Sequence, residues 1–149
     1  MIIGVIGAGQ ASPALRKIAK LVGQEIARRG ATLACGGLAG VMEAACQGAK
    51  EEGGSTIGIL PGSDKSEANR FVDIPIVTGL SYARNLVLVR TSDALIAVGG
   101  GFGTLSELAF ALKLGKPVVA IDSWAVSDKI IMAKDAVEAV ELAVKMASA

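Results

Sequence analysis

The chain has 149 residues, of which 52% are hydrophobic and 3% aromatic, and its formal net charge is +1. This length predicts one domain, residues 1–149, with room for a single sizeable core. A near-neutral charge, with one Trp and one Tyr, excludes the basic stripe and the stacking platform that nucleic-acid-binding proteins use. No apolar run approaches the length of a membrane span, and the first residues lack the basic region of a signal peptide. We therefore expect a cytoplasmic protein with neither a nucleic-acid nor a membrane partner.

The two cysteines, Cys35 and Cys46, have no CxxC motif and no spacing typical of paired metal ligands, and the chain has no histidine. The common zinc sites and catalytic triads therefore lack their parts, and no metal site is predicted. We expect both cysteines to be reduced packing residues, because free Cys is often buried as a small apolar side chain.

The chain begins with a predicted strand, Ile2–Ile6, followed by a glycine turn that contains Gly7, Gly9 and Gln10. Ser12 as cap and Pro13 at the first helical position then predict a helix that ends by Gly30. The turn is not a complete G-x-G-x-x-G fingerprint, and Cys35 stands where the second strand of a dinucleotide-binding unit ends in an acidic residue. A dinucleotide-dependent dehydrogenase is therefore disfavoured.

A second strand, Ala31–Cys35, leads through the turn 36–40 into a small-residue helix, Val41–Ala49. Glu43 lies in the first turn of this helix, where it serves either as a ligand contact or merely as a complement to the helix dipole. A third strand, Ser55–Leu60, runs into a polar loop. These elements repeat the order strand, glycine turn, helix.

Asp73–Val77 is a short strand or edge element, and the helix predicted after it, Tyr82–Arg90, is apolar nearly all round. That pattern predicts a buried helix, yet its first turn carries Arg84 and Asn85. A buried Arg is rare without a partner or an anion.

The apolar strand Ala94–Val98 leads into a turn with four glycines in five positions, Gly99-Gly100-Gly101-Phe102-Gly103, and then a helix that begins near Thr104 and ends at Gly115. Glycines allow positive φ and leave the N–H groups accessible, and the helix dipole adds positive potential, so a phosphate is the expected ligand. Two alternatives stay open: a tight turn that binds nothing, and a capping box in which Glu107 only satisfies an amide at the helix start.

The last elements are a strand, Val118–Ile121, a loop or partial helix over 122–135, and a helix, Ala136–Ala147. Strands that alternate with helices predict an α/β, three-layer, doubly wound Rossmann-like fold with a mainly parallel sheet and helices on both faces. In such a sheet all three glycine turns fall on the carboxyl edge, where ligands bind. Three turns at one edge make a phosphate-binding site the favoured interpretation over an oligomerising scaffold with empty turns.

Four segments together resemble a known family: Gly36-Gly37-x-x-Gly40-Val41-Met42-Glu43-Ala44, Gly58-Ile59-Leu60-Pro61-Gly62, Ala83-Arg84-Asn85, and Gly99-Gly100-Gly101-Phe102-Gly103-Thr104-Leu105-Ser106-Glu107. The family comprises the molybdenum-cofactor-carrier-like Rossmann proteins, relatives of the lonely-guy phosphoribohydrolases that are often mislabelled as lysine decarboxylases. The resemblance covers residues 1 to about 121. It implies a phosphate site at the glycine-rich loops and a homo-oligomer, a dimer or tetramer.

The phosphoribohydrolases carry the pattern P-G-G-x-G-T-x-x-E with an upstream Arg-Lys pair, and their catalytic Arg and Glu correspond to Arg84 and Glu107. Here Val98 replaces the usual Pro, Asn85 replaces the Lys, and Cys35 stands where a further Gly is common. The loss of the Lys removes a cation from the implied site. The Ala-Arg-Asn form resembles the carrier-like branch more closely.

Two functions follow as hypotheses. The first is a binding or carrier protein for a phosphorylated small molecule, either a nucleotide or a phosphate-bearing pterin such as the molybdenum cofactor. The second is a hydrolase that releases the base from a nucleoside 5'-monophosphate and uses Arg84 and Glu107. The predicted ligand-binding residues are Gly7, Gly9, Gln10, Gly36, Gly37, Gly40, Glu43, Asn85, Gly99, Gly100, Gly101, Phe102, Gly103 and Thr104.

Overall fold

A computed structural model describes all 149 residues. Seven strands and five α-helices alternate along most of the chain. The strands are β1 (Ile2–Gly7), β2 (Thr32–Cys35), β3 (Thr56–Leu60), β4 (Ile74–Val77), β5 (Ala94–Val98), β6 (Val118–Ile121) and β7 (Ile130–Met132). The helices are α1 (Pro13–Arg28), α2 (Val41–Glu51), α3 (Arg84–Thr91), α4 (Phe102–Lys113) and α5 (Ala136–Ala147).

The strands form one sheet in the order β4-β3-β2-β1-β5-β6-β7, and every neighbouring pair is parallel. Helices α1, α2 and α5 cover one face and α3 and α4 the other. The predicted doubly wound, three-layer Rossmann-like fold is therefore confirmed. Its strand order reverses between β1 and β5, which is the switch point where ligands bind in folds of this class.

The core follows the two-residue period of the central strand β5. Ala94, Ile96 and Val98 pack with α1, α2 and α5, whereas Leu95 and Ala97 face the opposite layer. All five side chains are fully buried. An unbroken apolar strand is what a parallel sheet covered on both faces requires, and the low aromatic content suits its tightly packed layers.

Helices α1 and α2 pack closely at two glycines. A methyl group on Gly23 would clash with the main-chain carbonyl of Ala45, and one on Gly48 would clash with the carbonyl of Lys20. Because backbone rather than flexible side chain stands in the way, neither position tolerates a Cβ without displacement of a helix. This contact fixes the position of α2 and of the turn before it.

Three local predictions were wrong. Residues 122–135 contain β7, which extends the sheet by pairing with β6, because three residues are too few for periodicity to reveal a strand. The predicted helix Tyr82–Arg90 is a 3₁₀ turn, Ser81–Ala83, followed by α3, and it is not buried all round, since the Tyr82 side chain is 86% exposed. The helix expected near Thr104 begins at Phe102. No helix is both long and apolar enough to cross a membrane.

Candidate functional site

A cleft of about 330 Å³ opens at the carboxyl edge of the sheet. Its position next to the ends of β1 and β5 is the switch point of the fold. The predicted residues that line it are Gly7, Gly9, Gly36, Arg84, Asn85, Gly101, Gly103, Thr104 and Glu107. The volume is at the lower end of the range for small-molecule sites, roughly 300–1,000 Å³.

The turn between β5 and α4 supplies unpaired N–H donors. The amides of residues 101–104 have no acceptor within the chain, and the next amide, that of Leu105, donates to the Gly101 carbonyl. Gly100 has φ +113°, and a Cβ there would collide with the Thr104 side chain, so this position requires glycine. The start of α4 therefore presents free donors and the positive end of a helix dipole to the cleft.

Ser123 and Trp124, in the loop that follows β6, stabilise this turn from outside the cleft, and no sequence motif indicated them. The Ser123 hydroxyl donates to the Gly99 carbonyl, and Trp124 Nε1 donates to the Gly101 carbonyl at 3.1 Å. The Phe102 ring, 82% exposed, stacks on Trp124 with ring centroids 6.2 Å apart. Phe102 thus packs against the supporting loop and does not line the cleft.

The turn before α2 is less open than predicted, because part of its donor capacity is used internally. The Gly37 amide donates to Cys35 Sγ at 3.2 Å, and the Val41 amide donates to the Ala8 carbonyl at 3.0 Å. The contact with Ala8 joins the first glycine turn to the second. These two turns form walls of the cleft, whereas α4 begins with three amides, those of residues 102–104, that all lack an acceptor within the chain.

Arg84 is held firmly at the first position of α3. Its Nη1 donates to the carbonyls of Gly36 and Ile59, each at 2.6 Å, so that the side chain joins α3 to the ends of β2 and β3. Its Nε is buried and has no partner within the protein. Burial lowers the pKa of the guanidinium, while the charges of Glu107 and Cys35 oppose that shift. Arg84 lines the cleft, and the charge of its guanidinium favours an anion there.

Glu107 lies on α4 with 7% of its surface exposed, and its carboxyl group makes no hydrogen bond within the chain. Burial raises its pKa to about 7, against the opposing effect of Arg84. The capping-box alternative is wrong: Gly101 is the N-cap of α4, Thr104 lies inside the helix, and no side-chain cap exists. Arg84 and Glu107 influence each other electrostatically, but no ion pair joins them.

Asn85 connects the two helices that carry these charges. Its Nδ2 donates to Ser106 Oγ at 3.1 Å, and Ser106 Oγ donates to the Gly103 carbonyl at 2.6 Å. The amide side chain is 6% exposed and also lines the cleft. It fixes α3 against the first turn of α4, and it adds no charge.

Seven predicted residues do not line the cleft, namely Gln10, Gly37, Gly40, Glu43, Gly99, Gly100 and Phe102. Gly40, Gly99 and Gly100 have positive φ and shape the turns. Six further residues line the cleft that no sequence motif indicated: Val5, Ile6, Ala8, Leu38, Met42 and Tyr82. Their position beside the predicted glycines was the only available signal, since apolar side chains give no chemical indication of a site. No group of His, Cys, Asp and Glu side chains is arranged to hold a metal ion.

The fold defines a Rossmann-like protein with a cleft at its glycine-rich turns. The chain belongs to the SLOG cluster4 family, whose model matches residues 1–149. The suspected relation to the carrier-like and phosphoribohydrolase groups is confirmed by the similarities that follow.

Two solved structures are similar over nearly the whole chain. The molybdenum cofactor binding protein from the phototrophic bacterium Rippkaea orientalis is 43% identical, with a TM-score of 0.92 over 97% of this chain and 96% of that one. The molybdenum cofactor carrier protein from Chlamydomonas reinhardtii is 38% identical, with a TM-score of 0.90 over 99% of both chains.

A cytokinin riboside 5'-monophosphate phosphoribohydrolase from Mycobacterium tuberculosis is 37% identical over 119 residues, or 74% of this chain. The aligned region spans 64% of that relative's length.

Proposed function

We propose that this protein binds, and in that sense carries, a phosphorylated small molecule at the cleft: a nucleotide or a phosphate-bearing pterin. The observation that carries the proposal is the set of unpaired amides at residues 101–104, at the start of a helix that lines the same cleft as the cationic side chain of Arg84. A phosphate at the start of α4 would satisfy these donors and would gain from the helix dipole.

The rest of the cleft fits a planar, largely apolar group attached to that phosphate. Leu38 and Met42 form part of one wall, and the exposed ring of Tyr82 borders the opening. Aromatic and apolar surfaces of this kind accommodate the ring system of a base or pterin, and the few polar groups orient it. The molybdenum cofactor named for the two similar structures belongs to this class of ligand.

Asn85 favours binding over hydrolysis. In the pattern of the phosphoribohydrolases a Lys follows the Arg. Here the neutral Asn85 stands at that position and donates a hydrogen bond to Ser106. The cleft therefore has one cationic side chain, Arg84, and that side chain is anchored to main-chain carbonyls. A cleft with one cation instead of two has less positive charge with which to stabilise the charge that develops in a reaction.

Isothermal titration with AMP, GMP, inorganic phosphate and a phosphorylated pterin tests the proposal. We expect heat of binding with at least one phosphorylated heterocycle and weaker binding of phosphate alone. At 100 times its dissociation constant, such a ligand raises the free energy of unfolding by about 2.7 kcal/mol. Absence of both heat and thermal protection with all four compounds would refute the proposal.

Hydrolysis of the N-glycosidic bond of a nucleoside 5'-monophosphate is the second candidate, and one observation favours it. Glu107 presents a buried carboxyl with no hydrogen-bond partner to the cleft, and its pKa of about 7 suits proton exchange near neutral pH. Release of adenine from AMP, followed by chromatography, decides between the candidates. Base release that Glu107→Gln abolishes would establish the hydrolase, and binding of intact AMP would establish the carrier.

We also propose that the protein acts in the cytoplasm as a dimer or tetramer of a single domain, as the family resemblance implies. Light scattering coupled to size exclusion measures the oligomeric state directly. A monomer at micromolar concentration would contradict this part of the proposal.

A further inference from the structure

Cys35 and Cys46 form a pair of thiols directly behind the cleft. Their sulfurs are 3.4 Å apart, and both side chains are fully buried and unoxidised. A disulfide requires an S–S distance of about 2.05 Å, so the two sulfurs, which are already in contact, need to approach by roughly 1.4 Å to form the bond.

The two thiols differ in character. The hydrogen bond from Cys46, with further contributions from the Gly37 amide and the charge of Arg84, lowers the pKa of Cys35 even though burial acts in the opposite direction. The pKa of Cys46 is raised, chiefly by the hydrogen bond between its sulfur and that of Cys35 and then by burial. Cys35 is therefore the thiol with nucleophilic character, since the thiolate is the reactive form.

The segment that the pair encloses is one wall of the cleft. Residues 36–45 lie between the cysteines and include the second glycine turn and the first turns of α2. Gly36, Leu38 and Met42 of this segment line the cleft, and the Gly36 carbonyl is one of the two that anchor Arg84. A bond between the sulfurs at both ends of the segment acts directly on this wall.

We propose that Cys35 and Cys46 are a reversible dithiol–disulfide pair, a modification site whose oxidation reshapes the wall of the cleft formed by residues 36–42. The co-reactant is a peroxide small enough to reach the interior. The effect on ligand affinity rests on the proposed function, whereas formation of the disulfide does not.

The oxidation balances in two steps. The Cys35 thiolate attacks one peroxide oxygen, the O–O bond breaks, and the departing hydroxide takes up the proton that Cys35 released, which gives a sulfenic acid and water. The Cys46 sulfur then attacks the Cys35 sulfur, an S–S bond forms, the S–O bond breaks, and the oxygen leaves as a second water with the Cys46 proton. Two thiols lose two electrons in total, and the peroxide is reduced to two waters.

The first measurement is made on the folded protein treated with hydrogen peroxide. We expect a mass loss of about 2 Da, loss of both titratable thiols, and recovery of both after dithiothreitol. Cys46→Ser and Cys35→Ser are the matched controls, and neither should lose this mass. Two remaining thiols, or a disulfide between two chains on a non-reducing gel, would overturn the proposal.

The second measurement follows the wall of the cleft. Hydrogen–deuterium exchange of a peptide covering residues 36–42 should differ between the reduced and disulfide forms, and a peptide from α5 should not. With AMP as the probe, we expect the dissociation constant to change by about threefold or more, since small displacements in a site are costly. If AMP does not bind the reduced form, the proposed function loses support. The hydrogen–deuterium exchange of residues 36–42 still decides whether the disulfide reshapes the wall of the cleft. Identical exchange in both redox forms would overturn the effect on the cleft.

Discussion

Replacement of Glu107 by Gln should make the protein more stable at alkaline pH. Burial raises the pKa of the folded carboxyl from 4.5 to about 7, a difference equivalent to about 3 kcal/mol. The folded state holds the proton more tightly than the unfolded state, so the stabilisation is fully present below pH 4.5 and is lost as the pH rises through about 7. Gln has nearly the same shape and does not titrate, so Glu107→Gln avoids this loss.

Urea denaturation of both proteins at pH 4 and pH 8 measures the effect. The difference in free energy of unfolding, Glu107→Gln minus wild type, should increase by about 3 kcal/mol between the two pH values, because contributions from other groups cancel in the subtraction. Glu141→Gln, on the exposed surface of α5, is the matched control and should show no such increase. Parallel pH profiles for wild type and Glu107→Gln would refute the assignment of Glu107 as a buried carboxyl that strains the folded state when ionised.

Three further predictions concern the anion site and its support. Arg84→Ala should weaken the binding of a phosphorylated ligand by about 1.5–3 kcal/mol in titration at fixed salt, the scale of a hydrogen bond to a charged group. Arg90→Ala, on the exposed side of α3, is the control and should leave the affinity unchanged. Equal losses of affinity in the two variants would remove Arg84 from the site. Gly100→Ala should lower the free energy of unfolding, measured in urea, by about 1–3 kcal/mol, because Gly100 has φ +113°. Gly103→Ala should be tolerated, because a Cβ at that position meets no other atom. Equal stability of the two variants would contradict the strain argument. Trp124→Phe keeps an aromatic ring at this position but removes the hydrogen bond to the Gly101 carbonyl. Titration should therefore show ligand affinity reduced by about 0.5–1.5 kcal/mol. Unchanged affinity would show that the turn needs no support from Trp124.

Much of the architecture could be predicted from local sequence patterns. Apolar runs such as Ala94–Val98, separated by glycine turns and amphipathic stretches, predicted the parallel doubly wound sheet, which the structure confirms. The common edge of the three turns followed from that topology, because parallel strands all end on the same side. Elements with weak periodicity were harder to predict: β7 has three residues, and the segment before α3 is a short 3₁₀ turn.

The sequence by itself determined where the glycine turns lie, and it placed Arg84 and Glu107 near a single edge of the sheet. Only the tertiary structure decided which amides of these turns already have a partner within the chain. In the turn before α2, the Gly37 amide donates to the Cys35 side chain, and the Val41 amide donates to the Ala8 carbonyl of a turn distant in sequence. The amides of residues 101–104 stay free. Turn residues are specified by local φ and ψ preferences, which the sequence displays directly. Hydrogen-bond partners, burial and the resulting pKa of Glu107 depend on groups that are distant in sequence, and only the packed structure brings these together.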